Sequence, residues 1–318
     1  MNNVLVSIII PVYNMEKYID RTLETLINQT TKMNYEIIVI NDGSTDNSLD
    51  IIKKYEEKYS KKILVYNKEN GGLSDARNFG VSKANGKYIC FVDAGDYISY
   101  NLLEKLEKYI YKNIDIIKYK LVKVDENGNE LSKIEGPVFD INNGMEALKK
   151  LIGNDFYLEV ACIYLYKKEF WDKYNFKFAL KRYHEDFGLI PWVILNANTV
   201  VSTELYGYYY VQNDNSITRN LDYNKNIKKA EDLLYHYDNI YSLMNSNEII
   251  KNNKELILQY YTNVIILKVR ELKRQEKKWY IKEIKKRKMS KNIKIKNIKQ
   301  LFKRVVLGLS IKLYLKIK

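Results

Sequence analysis

Two carboxylates, Asp93 and Asp96, follow directly after an apolar run in the stretch KYICFVDAGDYIS. Carboxylates at the end of a buried strand need positive charge nearby, because removing an unpaired charge from water is costly. Mg²⁺ or Mn²⁺ supplies that charge when carboxylates share the ion with substrate phosphate oxygens. A helix-capping Asp beside a solvated Asp is the structural alternative, but Gly95 favours close approach of a ligand. The stretch therefore predicts a divalent-cation site.

Asp42 lies in the stretch INDGSTD, after a second apolar run. Its carboxylate could accept hydrogen bonds from the edge of a nucleotide base. The alternative is purely structural, because Asp-Gly suits a tight turn and Ser44 or Thr45 can cap the next helix. The stretch lacks the residue spacing of the dinucleotide-binding fingerprint and of the P-loop, and so it is neither of these motifs.

Arg77 follows paired glycines in the stretch ENGGLSDARN. Paired glycines let the backbone approach a ligand closely. Arg77, in the first turn of a predicted helix, could bind a phosphate or a carboxylate through two parallel hydrogen bonds. An ordinary surface ion pair is equally compatible with this spacing.

Three ionisable residues stand in a row in the stretch YHEDFG: His184, Glu185 and Asp186. A helix is predicted to begin near Phe187. Acidic residues at a helix N-terminus are common because of the helix dipole alone, so this stretch is compatible with a structural or a functional role. His184 is predicted to be structural.

The elements that must position these residues alternate between strand and helix. Predicted strands at 4–12, 35–40, 63–66 and 88–92 are separated by helices, which indicates right-handed crossovers and an α/β fold with a mostly parallel sheet. Ligands of such sheets bind beyond the carboxyl ends of the strands. That rule brings four polar segments to one edge of the sheet: 11–14, 41–46, 67–72 and 93–96.

The remaining chain continues with a helix that Asn101 is predicted to start. Further strands are predicted at 114–124, 160–166 and 200–211, and the pattern is helical from Tyr223 to about Met289. The apolar N-terminus is predicted to be a strand and not a signal peptide, because it lacks a basic leader.

The charge of the chain is concentrated near its C-terminus. Residues 251–318 contain 22 Lys and Arg against 4 Asp and Glu, so this segment carries a net charge of +18. Because the whole chain carries +14, the remaining residues carry −4. The tail has no recognised nucleic-acid-binding pattern, and no specific nucleic acid is expected. Cys90 and Cys162 lie in apolar runs without metal-ligand spacing, which is typical of a reduced, cytoplasmic protein.

Four stretches in this order and at this spacing resemble the inverting glycosyltransferases of family 2: VSIIIPVYNMEKYIDRTLETLINQT, EIIVINDGSTDNS, ENGGLSDARNFG and YICFVDAGDYI. The resemblance covers about residues 4–115 and returns at YHEDFGLIPW and, more weakly, at YYYVQNDNSITRN. It implies the Rossmann-like GT-A fold over residues 1–222, with a nucleotide-sugar half at about 1–115 and an acceptor half at about 116–222. Residues 223–318 would form a helical, basic extension.

The resemblance also implies the site residues. Asp186 matches the family's catalytic base, and Asp93 matches the first residue of its metal-binding Asp-x-Asp motif. Gly95 stands where the family has the second Asp, so Asp93 and Asp96 are the expected ligands of Mn²⁺ or Mg²⁺. The residues expected to contact the nucleotide sugar are Pro11, Tyr13, Asn14, Asp42, Gly72, Arg77, Asp93, Ser216 and Arg219.

The expected reaction is therefore transfer of a sugar, with inversion, from a UDP-sugar to a hydroxyl group of a glycan or lipid-linked glycan. Such a reaction belongs to bacterial surface polysaccharide or glycan biosynthesis. A processive synthase would also carry membrane helices and a Gln-x-x-Arg-Trp motif, which the sequence lacks. The remaining alternative is a non-catalytic scaffold that binds a nucleotide or a polyanion.

The basic tail from about Lys285 to Lys318 is predicted to bind an anionic membrane at the cytoplasmic side. In the stretch QLFKRVVLGLSIKLYLKIK, one helical face carries Phe302, Val305, Val306, Leu309 and Leu313, as an amphipathic interfacial helix requires. The alternative is packing of this helix on the enzyme's own body or on a second subunit, which leaves a homodimer open.

Overall fold

The computed structural model of the protein describes residues 4–153, 160–212, 223–243 and 248–292. The chain divides into two compact units. The first comprises Met1–Lys181 and Glu185–Arg219, and the second comprises Arg182–His184 and Asn220–Lys318.

Four parallel strands form one half of the sheet in the first unit: β1 (Val6–Val12), β2 (Tyr35–Asp42), β3 (Ile63–Lys68) and β4 (Tyr88–Phe91). The helices between them are α1 (Ile19–Ile27), α2 (Ser48–Lys58) and α3 (Leu73–Lys83). Every residue of β1 and β2 is buried, as expected for strands that are covered on both faces. The carboxyl ends of these strands meet at one edge of the sheet, as predicted.

The second half of the first unit completes the sheet. Its elements in chain order are β5 (Tyr97–Ile98), α4 (Leu102–Tyr111), β6 (Ile116–Val124), β7 (Glu130–Ile134), β8 (Phe139–Asn142), α5 (Gly144–Gly153), β9 (Tyr164–Lys167), α6 (Lys168–Lys173), α7 (Glu185–Asn196) and β10 (Val200–Val211). The strand order is β3-β2-β1-β4-β9-β6-β10-β5, with β7 paired to β6 and β8 paired to β10. Of the ten strands in the described residues, six run in the same direction. The predicted α/β fold with a mostly parallel sheet is confirmed.

Helix α4 begins after Asn101, as predicted, although the Asn101 side chain makes no capping hydrogen bond. Two other local predictions differ from the structure. Helix α7 begins at Glu185, two residues before the predicted start, so the acidic pair lies inside its first turn. Strand β9 begins at Tyr164 because residues 161–163 form a short 3₁₀ turn, in which the Cys162 carbonyl accepts a hydrogen bond from the Tyr119 hydroxyl.

The second unit is helical, as predicted from Tyr223 onward. Its helices are α8 (Tyr223–Leu243), α9 (Glu248–Asn252), α10 (Lys254–Lys268) and α11 (Arg274–Lys286), followed by a short 3₁₀ turn at Met289–Asn292. Its core contains Leu233, Tyr237, Tyr261, Ile265 and Tyr280. Among the described residues, no helix is long and apolar enough to cross a membrane. The amphipathic face predicted between Phe302 and Leu313 lies outside the described residues.

Candidate active site

The loops after β1 and β2 are tied together at the carboxyl-end edge of the sheet. The Asn14 side-chain oxygen accepts a hydrogen bond from the Thr45 backbone N–H at 2.8 Å, and the Asn14 N–H donates to the Ser44 hydroxyl at 3.1 Å. Pro11 is buried beneath this loop, whereas the Tyr13 ring is 48% exposed. An exposed aromatic ring at this edge is suited to stacking on a nucleotide base.

Asp42 is buried and organises the glycine loop after β3. Its Oδ1 accepts hydrogen bonds from the Gly71 N–H at 2.9 Å and from Lys68 Nζ at 2.7 Å. Its Oδ2 accepts one from the Gly72 N–H at 2.7 Å. Gly72 has φ +86°, a conformation that favours glycine. The structure therefore brings Asp42 and Gly72 together, with both carboxylate oxygens bound to protein donors, and base recognition by Asp42 stays a prediction.

Arg77 lies in the second turn of α3, one turn later than predicted, and its side chain is buried. Its guanidinium donates hydrogen bonds to three carboxylates: Asp93 at 2.8 Å, Glu185 at 3.1 Å and Asp186 at 2.9 Å. These four residues are called the Arg77 cluster below. Arg77 is thus a buried side chain and not a surface ion pair, and both terminal nitrogens of its guanidinium donate to carboxylates. A contact of Arg77 with the nucleotide sugar stays a prediction.

Asp186 is fixed at two points in the Arg77 cluster. Its Oδ1 accepts a hydrogen bond from Arg77, and its Oδ2 accepts one from the Ala161 backbone N–H at 2.9 Å. Its side chain is 14% exposed, whereas that of Asp93 is 40% exposed at the edge of the sheet. The fold therefore brings together carboxylates that are far apart in the sequence and orients each of them.

The Arg77 cluster holds one positive charge against three carboxyl groups. Burial, and then the charge of Asp186, raises the pKa of Glu185 to about 7. Burial also raises the pKa of Asp186, although Arg77 opposes that change. The surrounding carboxylates outweigh the effect of burial on Arg77 and hold its pKa well above the usual range. The cluster can therefore exchange a proton near neutral pH, which is the range in which general acid–base groups work.

Asp96 has a different environment from the one predicted. Its two oxygens accept hydrogen bonds from the Tyr208 hydroxyl at 2.7 Å and from the Val211 N–H at 2.9 Å. Burial, and then the nearby charge of Asp93, raises the pKa of Asp96 to about 8. Gly95, at φ +108°, lies in a turn that ends with a hydrogen bond from the Asp96 N–H to the Asp93 carbonyl. The side chain of Asp96 therefore binds strand β10 and does not pair with Asp93.

Asp93 is the carboxylate of this turn that fits a divalent cation. One of its oxygens binds Arg77, while its exposed side chain lies at the edge where phosphate oxygens could complete the coordination. Among the described residues, no group of three or more His, Cys, Asp and Glu is placed to hold a metal. The predicted Asp93–Asp96 pair is thus not formed, and the metal requirement stays a prediction.

Two residues of this region were not predicted from the sequence. The Cys162 sulfur lies 3.8 Å from the Arg77 guanidinium, and the Tyr208 hydroxyl accepts a hydrogen bond from the Asp93 N–H at 3.3 Å. Neither carries a sequence signal, since Cys162 lies in an apolar run and Tyr208 is one of several tyrosines in β10. Ser216 and Arg219 lie outside the described residues.

The family profile named Glycosyl transferase family 2 matches residues 7–174, which is more than half of the chain. The chain belongs to this family. The prediction that the protein is a glycosyltransferase is therefore confirmed. Membership of this family favours an enzyme over the alternative of a non-catalytic scaffold.

Two curated relatives match the glycosyltransferase over most of its length. It is 30% identical over 240 residues to the uncharacterized glycosyltransferase YibD of Escherichia coli, with 72% of this chain and 69% of the relative covered. It is 29% identical over 255 residues to the poly(ribitol-phosphate) beta-N-acetylglucosaminyltransferase TarP of Staphylococcus aureus, with 79% and 75% covered. Three further curated relatives are matched only in part, since the chain spans 20%, 13% and 63% of their lengths.

A solved structure confirms the fold. The crystal structure of residues 1–349 of S. aureus TarS in complex with UDP-GlcNAc superposes on the glycosyltransferase with a TM-score of 0.74. The match covers 99% of this chain and 90% of the TarS 1–349 chain at 20% identity, so it establishes the GT-A fold alone.

Proposed function

We propose that the protein transfers a sugar from a UDP-sugar to a hydroxyl group of a bacterial surface polymer, with inversion at the anomeric carbon. The observation that carries this proposal is the Arg77 cluster, which holds the Asp186 carboxylate in a fixed, mostly buried position close to Asp93. The cluster thus joins a candidate base to a candidate diphosphate site within one hydrogen-bonded group.

Asp186 serves as the general base in this proposal. A sugar hydroxyl is a poor nucleophile, and a carboxylate within hydrogen-bond reach can accept its proton during attack. The raised pKa of Asp186 makes the carboxylate a better proton acceptor than an exposed Asp. Because one displacement takes place without a covalent sugar–enzyme intermediate, the configuration of the transferred sugar inverts.

The donor occupies the carboxyl-end edge of the sheet. The exposed ring of Tyr13 is suited to stacking on the uracil, and the glycine loop that Asp42 orders allows close backbone approach. Asp93 would hold Mg²⁺ or Mn²⁺ together with the diphosphate, and that ion would neutralise charge on the leaving group. The UDP-GlcNAc complex of TarS supports a UDP-sugar for this chain.

The acceptor is proposed to be a hydroxyl group on a glycan or polyol-phosphate chain. The name of TarP supports this class, because it describes transfer to poly(ribitol-phosphate) with a beta linkage. Binding the donor and this hydroxyl side by side would supply a large share of the rate enhancement.

The C-terminal helices are proposed to bind the anionic lipids at the inner face of the cell membrane. Trp279 on α11 is 38% exposed, and Lys278 and Lys282 are exposed on the same helix. An exposed indole among lysines is typical of a membrane-interface surface. Flotation of the full chain with phosphatidylglycerol vesicles tests this. The triple variant K278E/W279A/K282E should float less than the wild type although it keeps the basic tail, and equal flotation of both proteins would contradict a role of this α11 surface.

Release of UDP from a panel of UDP-sugars, with and without polyol-phosphate or glycan acceptors, tests the transfer activity. We expect slow hydrolysis of one donor by the purified protein and faster release when the right acceptor is present. The Asp186→Asn variant should lose the acceptor-dependent rate. Absence of both hydrolysis and binding for every UDP-sugar would refute the proposal.

A further inference from the structure

The segment directly before α7 has an unusual backbone. Lys181 has φ +55° and His184 has φ +59°, and both are non-glycine residues in the left-handed region. Such conformations cost free energy and persist only where the surrounding contacts hold them. By its contacts, Arg182–His184 belongs to the C-terminal helical unit, although the next residue, Glu185, begins α7. Two peptide units therefore separate this held segment from Asp186.

Asp232 of α8 provides the first of these contacts. Its side chain is fully buried and accepts hydrogen bonds from Arg182 Nη1 at 2.8 Å and from the Tyr183 backbone N–H at 2.9 Å. Lys228, one turn earlier on α8, donates to the same carboxylate at 2.7 Å. Hydrogen bonds from these donors outweigh burial and lower the pKa of Asp232, so the carboxylate is ionised at neutral pH.

His236, one turn later on α8, provides the second contact. Its Nε2 lies 3.0 Å from the Tyr183 carbonyl oxygen, which fixes Nε2 as the donor. Burial lowers the pKa of His236, so this bond is made by the neutral ring. Asp232 and His236, called the α8 pair below, thus bind both main-chain groups of a single residue, Tyr183. Residues four apart lie on the same face of a helix, which is why one helix can do this.

An ion pair that only stabilised the helical unit would not need to bind the backbone of Tyr183. Two hydrogen bonds to one peptide segment, between two left-handed residues, fix both its position and its direction. The chain that leaves this segment is the first turn of α7, which carries Glu185 and Asp186. The α8 pair therefore holds the backbone just before the turn that carries Asp186, while Arg77 and the Ala161 N–H orient the Asp186 carboxylate.

We propose that Asp232 and His236 are positioning residues that hold the start of α7, so that the C-terminal helices contribute to the chemical step. This inference rests on the proposed function, because it treats Asp186 as the base. Neither residue contacts the substrates in this proposal, and donor binding at the sheet edge does not depend on them.

His236→Leu and His236→Gln in the full chain form the first test. Leu fills a similar volume but cannot donate to the Tyr183 carbonyl, whereas the Gln amide can. We expect His236→Leu to lower kcat for transfer at least tenfold, with the Kd for UDP within twofold of wild type, and His236→Gln to recover most of the rate. An unchanged kcat in His236→Leu, or an equal loss in both variants, would overturn the proposal.

A matched pair on the same helix gives the control. Asp238 of α8 forms an ion pair with Arg287 at 2.7 Å and takes no part in binding residues 182–184. The rate of transfer is divided by the measured concentration of UDP-binding sites to give kcat. Asp232→Asn should lower this kcat at least tenfold, while Asp238→Asn should leave it within twofold of wild type. If both variants lose activity only in proportion to lost UDP-binding sites, the role of Asp232 is stability of the unit and the proposal fails.

Amide hydrogen exchange decides the inference independently of activity. In His236→Leu, residues 182–190 should exchange faster than in wild type, while Asp238→Asn leaves them unchanged. Unchanged exchange of residues 182–190 in His236→Leu would contradict a positioning role of the α8 pair, even if transfer were lost. If the wild-type protein transfers no sugar, the proposed function fails, and the exchange result still shows whether the pair holds α7.

Discussion

The carboxyl-end edge of the sheet around Asp42, called the donor edge below, and the Arg77 cluster both bind carboxylates with protein donors, but they balance charge differently. Asp42 has a full set of local donors, namely two backbone amides and one lysine, all within 30 residues in the sequence. The Arg77 cluster has one guanidinium, from α3, for three carboxyl groups, of which one follows β4 and two lie in α7. The first arrangement fixes a loop. The second leaves more carboxyl groups than cations, so it can take up a proton. Under the proposed function, this difference separates donor binding from proton transfer.

The largest expected effect on the rate of transfer comes from replacing Asp186, the proposed general base. Asp186→Asn keeps the size of the side chain but cannot accept the hydroxyl proton, so transfer should fall by about 10³-fold. The Kd for UDP should stay within about threefold of wild type, because Asp186 is not part of the donor edge. Steady-state transfer and calorimetric UDP binding check both. Transfer within about tenfold of wild type would remove Asp186 from the mechanism.

Removing the Arg77 guanidinium should mainly lower the stability of the folded protein. Arg77→Met leaves three carboxyl groups, two of them mostly buried, without their shared partner and should lower the free energy of unfolding by about 3 kcal/mol. Arg77→Lys keeps the charge but not the planar fork, so it should recover only part of that loss. Urea unfolding of the three proteins measures this. Equal stability of Arg77→Met and wild type would contradict the arrangement of the cluster.

At the donor edge, Asp42→Ala should weaken UDP binding without removing the base. Loss of the hydrogen bonds that order Gly71 and Gly72 should raise the Kd for UDP about tenfold, as expected for losing about 1.4 kcal/mol of loop ordering and base contact. The Mn²⁺ concentration for half-maximal activity should change little. If Asp42→Ala alters kcat more than the Kd, the separation of the two regions is wrong.

Asp96 should affect the pH dependence of stability more than catalysis. Its pKa is about 8 in the folded protein against the ordinary 3.8, so the folded state binds more protons than the unfolded state between those values. The contribution of Asp96 to stability should therefore fall as the pH rises from about 4 to 8. Asp96→Asn should flatten that fall by up to about 4 kcal/mol between pH 5 and pH 8, since one proton corresponds to about 1.4 kcal/mol per pH unit, as thermal unfolding can measure. An identical slope in both proteins would contradict this environment.

The parallel half of the fold was predictable because it depends on local patterns. Continuous apolar runs gave β1, β2 and β4, and the turn residues at their ends lie along one edge, as the topology of such sheets requires. Asp42, Gly72 and Asp93 accordingly lie where the sequence predicted them.

The inner arrangement of the site was not predictable in the same way. The spacing around Arg77 is equally compatible with a surface ion pair and with phosphate binding, and only packing decides that its guanidinium is buried among carboxylates. Asp96 was predicted beside Asp93 because the two are three residues apart. Gly95 has a positive φ and lies in a turn that directs the Asp96 side chain toward Tyr208. No residue pattern in the sequence predicts the direction of that side chain.

The most direct test of the account is the pH dependence of kcat at saturating substrates, for wild type and for Glu185→Gln. In the wild type, kcat should fall as the pH decreases through about 7, because the Glu185–Asp186 pair takes up a proton there and the base is lost. In Glu185→Gln, removal of the neighbouring charge should move this fall to lower pH. A kcat that is constant from pH 5.5 to pH 8.5, or a fall at the same pH in both proteins, would contradict the assignment of the Arg77 cluster as the proton-accepting centre.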